Sequence, residues 1–264
     1  MKSWTGLRAI AWMVWLVVAG LETACAPARP PTLIDLTHSF SQETVYWPNN
    51  KHFQWEKTDW GMTLDGYWYA SANFSASEHG GTHMDAPIHF GRDRNTVDQI
   101  PIDRLTGPAV VIDTRPQCAA NPDYELTVAD LLAWEATYGR IQTGTLVLMH
   151  SGWGQRWPDA IGYLGSTTPN DPHTLHFPGL SREAAEFLVR QRAVRGVGID
   201  TASIDPGRSR DFPVHRVLND ADIYVLENVA ALEQLPPQGM TVWALPIKIQ
   251  GGTGGPVRII AVLP

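Results

Sequence analysis

From residue 33 onward, short apolar runs bounded by turn residues alternate with a few amphipathic stretches. Leu33–Thr37 alternates apolar and polar side chains, the period-two pattern of a half-buried strand. Tyr67–Phe74 is aromatic-rich and also reads as a strand. Pro108–Thr114 carries Ala109-Val110-Val111-Ile112, a run suited to a buried strand. At Thr127 a hydroxyl N-cap, with Asp130 three residues on and Gly139 as a stop, predicts a helix. Its apolar face is Leu131, Leu132, Trp134 and Tyr138. Leu146–Met149 predicts another buried strand. Ser181 opens a second helix through Phe187, Leu188 and Val189, and Val194–Ile199 returns as a strand. The acidic loop Asp200–Asp211 leads into a short helix over Pro213–Asn219. Strand Ile223–Leu226, helix Asn228–Leu235 and strands Thr241–Leu245 and Val257–Leu263 complete the expectation. Strands outnumber helices and the two interleave, so one α/β or α+β domain with a sheet-rich core is expected. The pattern leaves strand order open and shows no internal repeat.

The N-terminus does not fit that pattern. Lys2 and Arg8 precede the apolar run Ala9–Leu21, a basic segment and hydrophobic segment of the kind found in export signals. At 13 residues the run is shorter than the roughly 20 needed to span a bilayer, so no transmembrane span is expected. Ala24-Cys25-Ala26 fits a small-x-small cleavage site. The expected division is a signal peptide at 1–26, a Pro-rich linker at 27–32 and one domain at 33–264. The mature protein would then be periplasmic. The alternative is a lipoprotein anchored through Cys25, against which Glu22 stands where such signals carry Leu.

Of 264 residues, 44% are hydrophobic and 18% charged, enough apolar material for a sizeable core without staples. The net charge is −7 with no Lys/Arg cluster, which argues against nucleic-acid binding. The two cysteines are far apart and form no CxxC pair, which argues against a cysteine zinc site. Cys118 reads as a surface or half-buried thiol, and export would favour its burial.

The candidate chemistry lies in His79-Gly80-Gly81-Thr82-His83-Met84-Asp85-Ala86-Pro87-Ile88-His89. Counted from His79, the other groups fall at +4, +6 and +10. On an extended strand, even offsets face one way. On a helix they scatter to about 40°, 240° and 280°, and Gly80-Gly81 and Pro87 oppose a helix as well. Three imidazoles and a carboxylate on one face suit zinc, manganese or iron(II). His215 and Glu227, twelve residues apart, are a weaker pair; alone they also read as a helix-surface histidine and a charged strand end.

This segment resembles the signature of the cyclase-like metal hydrolases, a family that includes bacterial kynurenine formamidase and isatin hydrolase. Leu146–Trp157, Phe177–Ser181, Gly198–Asp205 and Leu245–Arg258 resemble further family segments. The resemblance implies a compact mixed α/β domain with a central β-barrel-like sheet and flanking helices, assembled as a homo-oligomer. It implies that His79, His83 and Asp85 bind a first divalent metal, zinc or manganese. Asp85 and Glu227 would bridge to a second, with His215 as that ion's own ligand, giving one or two ions per chain. His89 would be the general acid/base. Trp47 would line the substrate pocket, with ordinary core packing as the alternative. Isatin hydrolases lack a carboxylate at the Glu227 position, so its presence points to the two-metal form. His150-Ser151 stands where many relatives carry Arg-Thr, a departure that bears on substrate contacts.

The reaction so implied is hydrolysis of a carbon–nitrogen bond in a small amide, arylformamidase-like, with isatin or another cyclic amide as the alternative substrate. A non-catalytic exported metal-binding protein is the rival of a different class. Ser151 lies outside a GxSxG elbow, so a serine nucleophile is a poor competitor. Gly251-Gly252-Thr253-Gly254-Gly255 lacks the Lys-Ser/Thr of a P-loop and reads as a turn near the site. His173 and His176 read as solvated loop residues, with one of them bordering the pocket as the alternative, and Asp200 and Asp205 read as turn-forming carboxylates, with cation binding as the alternative.

Overall fold

The computed structural model describes residues 30–264; the expected signal segment, Cys25 and the start of the linker lie outside the described residues. Residues from Pro31 on form one compact unit. Its strands are β1 Thr32–Asp35, β2 Gln54–Met62, β3 Trp68–Ser75, β4 His83–Asp85, β5 Thr106–Asp113 and β6 Glu125–Leu126. They continue with β7 Leu146–His150, β8 Gly179–Leu180, β9 Gly196–Ile199, β10 Tyr224–Glu227, β11 Met240–Pro246 and β12 Gly254–Leu263. The helices are α1 Arg115–Ala120, α2 Val128–Tyr138, α3 Ala160–Leu164, α4 Arg182–Phe187 and α5 Pro213–Asp220.

Seven strands close into a ring in the order β12-β11-β5-β7-β9-β10-β4, with β4 pairing back to β12. β5, β7, β9 and β10 run parallel, while β4 and β11 are antiparallel to their neighbours. β12 is long enough for β4 to take one end of its edge and β1 the other, so β1 sits outside the ring. The apolar runs read as buried strands are the parallel ones, apolar on both faces because both are covered. Val111, Leu148 and Leu226 point into the barrel with Val242 and Ile259. Val110, Met149 and Val197 point outward beneath Leu131, Trp134, Leu188 and Leu218 of the helical side. Each such fully buried aliphatic side chain contributes roughly 1.5–3 kcal/mol.

The Thr127 cap is a full capping box, with Thr127 Oγ1 accepting from Asp130 N–H and the Asp130 carboxylate accepting from Thr127 N–H; Gly139 ends the helix at φ 92°. Trp134 Nε1 donates to Val111 O at 2.9 Å and pins α2 to the sheet. Cys118 is buried, in the unforeseen helix α1.

One expectation changes. Asn228–Leu235 is not a helix: only Leu232–Gln234 makes a short 3-10 turn. Asn228 and Ala231 adopt φ of 53° and 54°, outside the helical region, and the N–H groups of Val229 and Ala230 bond to Ile199 O and Leu36 O instead. Tyr67–Phe74 contains the expected strand, which pairs with β2 in a separate exposed hairpin.

Candidate metal centre

β4 threads between β10 and β12, and this placement assembles the site. The register sets Glu227 opposite His83, and paired residues of an antiparallel ladder share a face. Asp85 lies on that same face, two residues along β4. Gly254 faces Asp85 from β12; a Cβ there would fall 2.4 Å from Met84 O and 2.8 Å from the His79 ring. The glycine-rich turn thus lets two backbones meet behind the site, as its composition suggested.

Asp85 is the hub. Its Oδ1 lies 2.6 Å from His79 Nδ1 and 3.3 Å from His83 Nε2, and its Oδ2 is 3.2 Å from His215 Nε2. Glu227 closes the group, 3.4 Å from His83 Nε2 and 3.1 Å from His215 Nε2. The outward nitrogens are also held. His83 Nδ1 is 3.0 Å from Gly81 O, His215 Nδ1 is 2.7 Å from Asp205 Oδ2, and His79 Nε2 is 2.8 Å from Thr253 Oγ1. Asp205 further accepts the N–H groups of Val214 and His215 in the first turn of α5, which fixes that helix against the barrel.

The four groups of the histidine segment do converge, but not along one extended face. Only His83 and Asp85 are on a strand. His79 precedes it across Gly80-Gly81, and His89 sits in a 3-10 turn, Pro87–His89, opened by proline. The His89 ring stacks on His79 at 3.9 Å between centroids. Chain reversal, not strand periodicity, brings it in. Two sets of donor atoms are close enough to share an ion: His79, His83 and Asp85, and Asp85, His89 and His215.

Electrostatics separate His89 from the others. Burial disfavours a charged His83, yet hydrogen bonding and charge from Asp85 and Glu227 outweigh it and push its pKa up to about 9. His215 is likewise buried, and Asp205, Asp85 and Glu227 hold it well above the usual range. Burial opposes ionised Asp85, but hydrogen bonds from His215, His79 and His83 keep it well below the carboxylate range. Burial drives His89 down to about 3; Asp85 opposes this and the neighbouring histidines reinforce it. His89 is therefore a neutral imidazole at physiological pH.

A cavity of about 210 Å³ opens onto this cluster, and Trp47 lines it together with Phe90 and Phe212. The Trp47 ring is 6.0 Å from Phe212 and 6.5 Å from Phe177, edge-on to both, so it packs and lines at once. Residues that sequence reasoning passed over or read differently complete the site. Asn228 donates to Gly81 O at 2.7 Å and accepts from Tyr163 Oη at 2.8 Å. Ser203 lines the cavity with its Oγ unpaired. Asp205 is fully buried and not a turn-forming surface carboxylate; Asp200 is buried too, accepting from Ser151 N and Oγ. No local pattern marks these residues, since their partners are distant in sequence.

Asp200 belongs to a second cavity of about 340 Å³, also lined by His38, His150 and Glu233. His38 stacks on Trp157 at 4.3 Å and its Nε2 is buried without a partner.

The Cyclase family, described as "Putative cyclase", matches residues 34–206. Isatin hydrolase of Roseibium aggregatum is 35% identical over 76% of this chain and 77% of its own. Kynurenine formamidase of Salinibacter ruber is 31% identical over 86% of this chain and 96% of its own. Among solved structures, isatin hydrolase A from Ralstonia solanacearum superposes with a TM-score of 0.82 at 36% identity, covering 89% of this chain and 92% of that one.

Proposed function

The chain belongs to the Cyclase family, whose relatives here are hydrolases, and from that premise we propose that it cleaves the carbon–nitrogen bond of a small aryl amide at the Asp85 cluster. The observation that carries the reading is the convergence of three imidazoles and two carboxylates, backed by a second layer of partners, beside one neutral histidine.

The donor set fits a divalent ion. His83 and His215 have their Nδ1 atoms occupied by Gly81 O and Asp205, which leaves Nε2 of each facing the carboxylates. His79, His83 and Asp85 would hold one ion, and Asp85, Glu227 and His215 a second; imidazole with carboxylate suits zinc or manganese. When bound, such an ion supplies a Lewis acid and lowers the pKa of water toward about 7. His89 would take a proton from the attacking water and pass it to the departing nitrogen; its stacking on His79 beside the cluster supports this role. One carbon–oxygen bond forms, one carbon–nitrogen bond breaks, and the amine leaves neutral. Trp47, Phe90 and Phe212 would sandwich a flat aryl group.

Two substrate classes compete. A linear N-formyl aryl amide suits the formamidase likeness and the retained Glu227 carboxylate. A cyclic amide such as isatin suits the likeness to isatin hydrolases in sequence and fold. Assaying metal-loaded protein against N-formylkynurenine and isatin, with and without chelator, separates them. Turnover of neither by demonstrably metal-loaded protein would reject both.

Export to the periplasm, with signal cleavage or lipid attachment at Cys25, is part of the proposal, and the basic-then-apolar N-terminus supports it. Cell fractionation with N-terminal sequencing of the mature protein tests it. Self-association into a homo-oligomer completes it. Among the described residues, no helix is long and apolar enough to cross a membrane.

A further inference from the structure

The glycine-rich turn Gly251–Gly255 reaches the metal centre through the side chain of Thr253, and Glu78 meets it there. Glu78 directly precedes His79 in the chain, yet its carboxylate reaches the His79 ring by way of a residue 174 positions further on. Thr253 Oγ1 lies 2.5 Å from Glu78 Oε2, and Thr253 N–H donates to the same oxygen at 3.0 Å. Thr253 O accepts from Ala86 N–H at 2.9 Å. The residue is therefore held at its N–H, its carbonyl and its hydroxyl.

The glycines on either side make room for this. A Cβ on Gly252 would fall 3.0 Å from Glu78 Oε1, and one on Gly254 would fall 2.8 Å from the His79 ring. A carboxylate packs against one glycine and an imidazole against the other, with Thr253 between them.

The direction of the hydrogen bonds follows from proton count. A hydroxyl has one proton to give, and a carboxylate has only lone pairs to offer. Glu78 Oε2 already receives the Thr253 N–H, so it receives the Thr253 hydroxyl proton as well. Thr253 Oγ1 then accepts, and its donor is the Nε2–H of His79 at 2.8 Å. With a proton kept on Nε2, His79 turns Nδ1 to the cluster, 2.6 Å from Asp85 Oδ1. His83 and His215 stand the other way round. Their Nδ1 atoms face Gly81 O and Asp205, and Nε2 of each faces the carboxylates.

We propose that Glu78 and Thr253 are a positioning pair for His79, fixing its ring so that Nδ1 and not Nε2 is offered to a divalent ion. The proposal rests on the metal-centre reading above and adds to it the two residues that ready one ligand. The pair acts through His79. An outer N–H bonded to an acceptor raises the basicity of the ligating nitrogen and locks the ring plane. Asp205 does this directly for His215, while Glu78 does it through one hydroxyl. The His89 ring stacks on His79 at 3.9 Å with 19° between planes, so the pair also holds the surface against which His89 rests.

Zinc titration and 15N NMR of the histidine-labelled full chain test this. In the zinc-loaded wild type, His79 is expected to show a protonated Nε2 and a zinc-bound Nδ1, and His83 and His215 the reverse. Thr253→Val keeps the side-chain shape without the hydroxyl and should weaken zinc binding about 10–100-fold. Thr253→Ser keeps the hydroxyl and should retain wild-type affinity. Glu78→Leu should weaken binding as Thr253→Val does, with circular dichroism unchanged in all three. A wild type that holds zinc on His79 Nε2 overturns the proposal without any variant having to fold. So does wild-type affinity in Thr253→Val. Equal weakening in Thr253→Ser and Thr253→Val also overturns it, by assigning the residue to packing. A wild type that takes up no zinc rejects the metal-centre reading itself, and the proposal falls with it.

Discussion

Two cavities among the described residues bring several histidines together with carboxylates, and they differ in how closely those groups meet. At the Asp85 cluster, imidazole nitrogens and carboxylate oxygens meet at 2.6–3.4 Å, and His83 rises to about 9 despite full burial. In the second cavity, His38 and His150 face Asp200 and Glu233 without a ring-nitrogen hydrogen bond among the described residues. Burial there prevails: His38 falls to about 4, against an opposing pull from Glu233, and His150 is lowered as well. Composition is similar; convergence differs. Ligand-type side chains around a cavity make a candidate metal centre only where their donor atoms point at one another closely enough to share a charge. In the first cavity a proton shares it on the raised histidines, so an ion bound there would compete with protons.

The sharpest way to break the contrast is His83→Ala. It should remove metal and activity together, lowering turnover roughly 10³-fold or more; full metal content by elemental analysis with full turnover would sink the assignment. His89→Ala should retain metal and lose about 10²–10⁴ in rate. Wild-type turnover across pH in that variant would show that His89 carries no proton. Asp205→Asn touches neither substrate nor ion, and should weaken metal affinity about 10–100-fold by loosening His215. Unchanged affinity in a metal titration would mean that α5 alone positions the ring. The second cavity should answer differently: His150→Gln should leave metal content intact, because its ring joins no ligand set.

Much of this was legible in the chain. The parallel strands announced themselves as continuous apolar runs because both their faces are covered, and α2 did so through its capping box. The histidine segment was legible as a candidate site because its four groups, His79, His83, Asp85 and His89, are local. Its geometry was less so: the even spacing predicted one face, yet His89 arrives by a proline-opened turn. Asp205 could not be read, since its partner His215 becomes a neighbour only when α5 folds back. Helix Asn228–Leu235 failed for a related reason. Its composition allows a helix, but bonds from its backbone to β9 and to Leu36 hold it open. The aromatic hairpin gave a strand signal without its most telling property, that the apolar face stays outside.

The smallest expected effect concerns stability and comes from the second cavity. The folded His38 has a pKa of about 4, below its ordinary 6.5, because burial favours the neutral ring. Between those values the unfolded chain binds a proton that the folded chain does not. The contribution of a neutral His38 to stability is therefore complete above pH 6.5 and is lost as pH falls toward 4. Gln cannot take up that proton. Urea midpoints of the metal-free protein at pH 7 and pH 5 should thus fall further for wild type than for His38→Gln. Equal falls would mean that the His38 ring is solvated in the folded protein, and the contrast between the two cavities would then rest on hydrogen bonding alone.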